Sequence, residues 1–132
     1  MLDTNICIYL INNKLPELAQ KITDIPKDSI CISVITQAEL EFGVYKSQNP
    51  AKNAHALVRF LSAIGVIDFG TKAAAAYGEI RANLERKGTA IGNMDMLIAA
   101  HARSLGLTVV TNNTKEFARV EGLEIENWVS EQ

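Results

Sequence analysis

Three carboxylates and an amide stand beside apolar runs in this chain. Asp3 follows Met1-Leu2, Glu39 lies in Ala38-Glu39-Leu40, Asp95 closes Gly92-Asn93-Met94-Asp95, and Asn112-Asn113 follow Thr111. Acidic side chains gathered at one edge of an α/β sheet repel one another unless a cation holds them. Oxygen-only ligands select a hard cation, Mg²⁺ or Mn²⁺ rather than Zn²⁺. Such an ion lowers the pKa of a bound water and neutralises charge on a phosphoryl group. The chemistry implied is metal-dependent phosphodiester hydrolysis by water, with no covalent enzyme intermediate.

The elements that must position these groups follow from periodicity and punctuation. Thr4 is expected to cap a helix over Asn5–Ile11, and a second helix fits Leu15–Thr23 with Pro16 in its first turn. Ser29–Ser33 reads as a strand and Val34–Lys46 as a helix broken by Ser47-Gln48-Asn49-Pro50. Ala51–Ile64 has helical apolar spacing, Gly65 ends it, and Val66–Phe69 reads as a strand. Thr71–Lys87 is the next helix, stopped at Gly88, and Asn93 is expected to cap a helix over Met94–Leu105. Leu107–Thr111 is the clearest strand, Thr114–Arg119 a short helix, and Leu123–Ile125 an edge strand. Short apolar strands separated by helices indicate an α/β fold, a three-layer sandwich around a mostly parallel sheet of four to five strands.

In open α/β sheets, ligands bind beyond the carboxyl ends of the strands. Asp3 and Asn112-Asn113 both fall on that edge. Asp95 sits in a helix first turn, where the dipole favours negative charge, and that alone explains it adequately. Glu39 is harder to dismiss. Its helical neighbours are Ile35, Thr36, Phe42 and Gly43, so it is expected on the core side of its helix. No Lys or Arg nearby in sequence is placed to pair with it, and a carboxylate there needs a partner or a metal.

The 132 residues suit one domain spanning 1–132, and 48% apolar content supports an ordinary core. No apolar stretch is long enough for a transmembrane span, and the start lacks a secretory pattern. Cys7 and Cys31 stand apart from any metal-binding spacing, so two buried free thiols in a reducing cytoplasm are expected. A net charge of -2 argues against coating nucleic acid by charge alone. It leaves open an enzyme whose bound cations reverse the sign of the site.

The same segments resemble the motifs of the PIN-domain ribonucleases, and within them the VapC toxins of bacterial toxin–antitoxin pairs. The matching residues are Leu2-Asp3-Thr4-Asn5, then Ile35-Thr36-Gln37-Ala38-Glu39-Leu40 with Gly43. They continue as Ile91-Gly92-Asn93-Met94-Asp95 running into Ile98-Ala99-Ala100-His101-Ala102, and as Val110-Thr111-Asn112-Asn113 with Glu116-Phe117. The resemblance covers nearly the whole chain and implies a Rossmann-like PIN fold with Mg²⁺- or Mn²⁺-dependent endoribonuclease activity. It implies a VapB-type antitoxin whose tail occupies the active-site groove, and a homodimer that joins the antitoxin in a larger complex. Similarity to the enteric-type VapC toxins implies cleavage of initiator tRNA in the anticodon loop.

Carried over by position, Asp3, Glu39 and Asp95 match the family's acidic metal ligands, and Asn113 takes the fourth catalytic position. Many PIN proteins have Asp there. An amide orients a water or binds metal through its carbonyl oxygen but adds no charge, and Glu116 is the alternative source of a carboxylate. Related chains carry more apolar residues before Asp-Thr-Asn. Here the first strand is expected to be very short, or the chain to begin at an internal methionine.

His101 lies six residues from Asp95, about 240° around a helix, so the two do not share a face. It reads as a packing or surface histidine, and His55 as solvated. Arg81, Arg86 and Lys87 make one helix end basic, which complements the dipole; RNA phosphate contact is the functional alternative, as for Lys115 and Arg119. Tyr9, Phe42, Tyr45 and Phe117 are expected mostly in the core or a partner interface, and Trp128 is expected to pack the tail. Two other readings compete. A haloacid-dehalogenase phosphatase needs a second Asp two residues after Asp3, where Asn5 stands. A non-catalytic PIN-like binding module would fit Asn113 but not the retained Asp3, Glu39 and Asp95.

Overall fold

Parallel pairing organises the computed structural model, which describes residues 1–129. Strand β1 (Cys31–Ser33) pairs with β2 (Gly65–Ile67), and β3 (Val109–Val110) pairs with β4 (Ile125–Glu126), both parallel. Leu2 joins the two pairs. It bridges Val110 in parallel, and its amide donates to the Cys31 carbonyl at 3.0 Å. The spatial order is therefore β2, β1, the Leu2 segment, β3, β4. The first strand is a single bridged residue.

Side chains along this sheet alternate between two cores, as a two-residue period requires. Met1 and Val109 enter one cluster with Ile80, Leu84, Met96, Ile98 and Phe117. Leu2, Ile32 and Val110 enter the other with Ile6, Leu18, Leu40 and Leu57. The first is covered by α5 (Thr71–Arg86), α6 (Asn93–Ser104) and the short α7 (Thr114–Phe117). The second is covered by α1 (Thr4–Ile11), α2 (Pro16–Thr23), α3 (Val34–Lys46) and α4 (Pro50–Ala63). A sheet buried on both faces by helices is the three-layer arrangement expected from the sequence.

Two caps differ from expectation. Asp3, not Thr4, caps α1, with Oδ1 accepting from the Ile6 amide at 2.9 Å. Asp3 is extended while Thr4 is already helical, so the acid is the side chain that reaches the free amides. Gly92 holds the cap position of α6 and Asn93 is its first residue, making no side-chain cap bond. Ser33 caps α3 through the Ile35 amide, which lets β1 pass into the helix with no intervening loop. Strands are shorter than read, because Ser29 belongs to a 3₁₀ turn over Lys27–Ser29 and Phe69 falls outside β2. Gly106, with φ of +68°, ends the segment after α6 where an L side chain would be strained.

Cys7 is buried and Cys31 only partly so; both thiols are free. Among the described residues, no helix is long and apolar enough to cross a membrane.

Candidate active site

The sheet brings the acids to one edge. Asp3 follows the bridged Leu2, Thr111 follows β3, and Ser33 at the end of β1 starts the helix that carries Glu39. Asp3, Glu39, Asp95 and Asn113 all line one cavity of approximately 630 Å³. All four candidate site residues therefore meet.

Asp3 is the most enclosed of them, at 3% exposure. Its Oδ1 caps α1, and its Oδ2 accepts from the Thr111 hydroxyl at 2.5 Å. The Thr111 oxygen in turn accepts the Asn113 amide at 2.8 Å. One threonine thus ties the first acid to the loop carrying the fourth position. Burial pushes the Asp3 carboxyl up, against the hydrogen bonds from Thr111 and the Ile6 amide.

Glu39 accepts from the Thr4 hydroxyl at 2.6 Å. Thr4, freed from capping, orients this carboxylate. Glu39 faces the cavity and not the core. Phe42, whose apolar character suggested a core face, is 66% exposed and lines the same cavity. Lys46, seven residues on, also lines it, so a cation does share that face.

Asp95 carries the clearest electrostatic signature. Burial first, then the charges of Asp3, Glu39 and Glu116, push its carboxyl from 3.8 up to about 6, while the Asn113 side chain hydrogen bonds against that rise. The Asn113 Nδ2 also donates to Glu116 Oε2 at 2.7 Å. The amide at the fourth position thus lies between two carboxylates, as a donor that a fourth acid cannot be. Glu116 stands behind Asn113 and is not part of the cavity lining.

The donor set fits a hard divalent cation. Three carboxylates supply only oxygen, each retains lone pairs beyond its hydrogen bonds, and their mutual repulsion at Asp95 is what a cation relieves. Among the described residues no three such side chains are already drawn into a closed metal-holding cluster. Local hydrogen bonds from Thr4 to Glu39, and from Thr111 and the Ile6 amide to Asp3, fix these two carboxylates.

The remaining basic and histidine candidates lie elsewhere. His101 is buried, bonded through Nδ1 to Ser33 Oγ at 2.7 Å and set edge-on to Phe69, which is a packing role. His55 is exposed. Arg81 pairs with Glu85 and Lys87 with Glu121, while Arg119 donates to the Ala90 carbonyl. None of these, nor Arg86 or Lys115, lines the cavity. Phe117 is core, Tyr45 is exposed at 80%, and Trp128 packs partly buried beneath Lys21. Sequence reasoning missed Lys46 and the open face of Phe42. Their signal was spacing: Glu39, Phe42, Gly43 and Lys46 follow i, i+3, i+4, i+7.

A PIN domain family model matches residues 1–123. The tRNA(fMet)-specific endonuclease VapC of Shigella flexneri is 48% identical over 128 residues, 97% of this chain and 96% of that protein. Ribonuclease VapC2 of Rickettsia felis is 47% identical over 129 residues, again 97% and 96%. The crystal structure of VapBC2 from Rickettsia felis bound to a DNA fragment from their promoter superposes with a TM-score of 0.93 at 46% identity, covering 98% of each chain. DNA-bound VapBC from Salmonella typhimurium gives the same TM-score and identity, covering 98% of this chain and 97% of that one.

Proposed function

The chain belongs to the PIN-domain family, and from that premise we propose that it is a VapC-type toxin, an endoribonuclease that cuts tRNA. Its relatives of nearly equal length are named ribonucleases or tRNA(fMet)-specific endonucleases, and its structural neighbours are toxin–antitoxin complexes. The observation that carries the reading in this chain is the convergence of Asp3, Glu39 and Asp95 on one cavity, with Asp95 pushed up by burial and by its acidic neighbours.

In this reading Asp3, Glu39 and Asp95 would hold Mg²⁺ or Mn²⁺, which when bound would supply charge neutralisation at the phosphoryl group and a more acidic water. Asp3 is kept in place by the Ile6 amide and Thr111, and Glu39 by Thr4. Asn113 spends its Nδ2 on the acids beside it, which leaves its carbonyl oxygen to orient a water. Initiator tRNA is the proposed substrate, on the strength of two close relatives with that specificity in their names. A VapB-type antitoxin is the proposed partner, and the Rickettsia felis neighbour bound to a fragment of its promoter supports operator binding by such a pair.

The test is incubation of the purified protein with bulk tRNA in Mg²⁺ or Mn²⁺, in EDTA, and as the Asp95→Asn variant. Discrete fragments that disappear in EDTA and with the variant are expected. Intact tRNA under all conditions, from a folded protein, would overturn the reading in favour of a non-catalytic binding module.

A further inference from the structure

We propose that Phe42 and Lys46 form a nucleotide clamp at the acidic cavity: the ring stacks an unpaired base beside the scissile phosphate, and the ammonium meets a neighbouring phosphate. The inference rests on the ribonuclease reading above and deepens it. Both residues lie one and two turns beyond Glu39 on the same face of α3, and both line the cavity that holds the carboxylates. Phe42 is 66% exposed, an apolar ring left in water beside the candidate site. The Lys46 Nζ stands 5.3 Å from the centroid of that ring. Lys46 makes no ion pair among the described residues, and it is the only cation among those lining the cavity. Gly43 lies between them on the helix surface, and a Cβ there would meet nothing within 4 Å, so the approach is open.

A flat apolar ring with an ammonium over it that makes no ion pair among the described residues, a few side chains from a carboxylate cluster, matches a nucleotide in particular. Single-stranded RNA is read by stacking splayed bases on aromatic side chains, with cations tracking the backbone. Lys46 supplies the positive charge that a phosphate needs at the edge of an otherwise acidic cavity. The proposed antitoxin tail would compete for the same groove, so RNA and antitoxin are read as separate arms of the test.

The probe is a fluorescein-labelled initiator-tRNA anticodon hairpin. Its affinity is read by anisotropy in the Asp95→Asn background, and its cleavage is followed with an intact Asp95. Phe42→Ala and Phe42→Leu are each expected to weaken binding roughly 10-fold while Phe42→Trp retains it, because stacking and not apolarity is at stake. Lys46→Gln is expected to flatten the dependence of log Kd on log salt by about 0.7, the share of one phosphate contact on a single strand. Both residues are exposed, so melting temperatures should stay unchanged. If the unmodified protein cleaves and Phe42→Ala binds and cleaves alike, the clamp is wrong while the ribonuclease reading stands. Equal losses with Phe42→Ala and Phe42→Trp, or an unchanged salt slope with Lys46→Gln, would also overturn it. So would variants that keep RNA binding but lose affinity for the antitoxin, which would assign the face to protein. If the unmodified protein neither binds nor cuts RNA, both readings fall together.

Discussion

Replacing Asp95 with Asn should stabilise the cation-free protein at neutral pH while abolishing its activity. The Asp95 carboxyl is pushed from 3.8 up to about 6 by burial and by the charges of Asp3, Glu39 and Glu116. A rise of about 2 pH units corresponds to about 3 kcal/mol at 1.36 kcal/mol per unit. Asp95 is only partly buried, so solvent screening reduces this to about 1.5 kcal/mol. The sign follows from proton linkage. A carboxyl whose folded pKa is raised favours folding while protonated; that contribution is complete below 3.8 and is lost as the pH rises through about 6. Asp3, also raised, acts in the same direction. In EDTA at about pH 8, Asp95→Asn should therefore melt about 5 °C higher than the unmodified protein. The gap should narrow as the pH falls through about 6 and close only below 3.8, where the carboxyl is protonated in the folded and unfolded chain alike. Thermal unfolding followed by circular dichroism across that range measures both. A variant that melts no higher at about pH 8, or whose advantage does not depend on pH, would refute the claim that burial and the neighbouring acids disfavour the ionised Asp95.

Other outcomes follow from the same geometry. Mg²⁺ or Mn²⁺, binding the folded state alone, should stabilise it by about 2.7 kcal/mol at a hundred times Kd and so raise the melting temperature, and Glu39→Gln should lose most of that rise. An unchanged rise in the variant would remove Glu39 from the ligand set. Thr111→Val takes the donor from Asp3 and the acceptor from the Asn113 amide, so urea denaturation should show a loss of about 1–3 kcal/mol. Its cleavage rate should fall about 10-fold or more, since Thr111 orients a proposed ligand. Phe117→Ala empties a fully buried site beneath α7 and should cost about 3–5 kcal/mol in the same assay.

The positions of the acids were legible because the sheet is parallel and its strand ends are marked. Val34–Lys46 was read to the residue, since Ser33 and the Ser47–Pro50 break leave no other helix. Asp3, Glu39, Asp95 and Asn113 meet as expected from strand-end placement and from the resemblance. What was lost was side-chain direction. Asp3 and Thr4 both suit a helix start, and only the backbone turn decides that Asp3 caps and Thr4 reaches Glu39. The face of α3 bearing Phe42 looked like core because apolar type was taken as a proxy for burial, which a functional cavity violates. The strands were overlong in sequence because apolar runs continue into loops that the short sheet cannot pair. Local hydrogen bonding of Asn113 to two acids was beyond reach, since it depends on where α7 sets Glu116.

The central claim is that these carboxylates direct an external water onto an RNA phosphate. Single-turnover cleavage of initiator tRNA in ¹⁸O-labelled water, with Mg²⁺ or Mn²⁺ present, tests it most directly. One ¹⁸O in the terminal phosphate of a product, and tolerance of a 2′-deoxy substitution at the cut, are the results predicted. A 2′,3′-cyclic phosphate end without label, formed equally well in EDTA, would mean that the ribose hydroxyl is the nucleophile and that the acidic cavity is not the centre of the reaction.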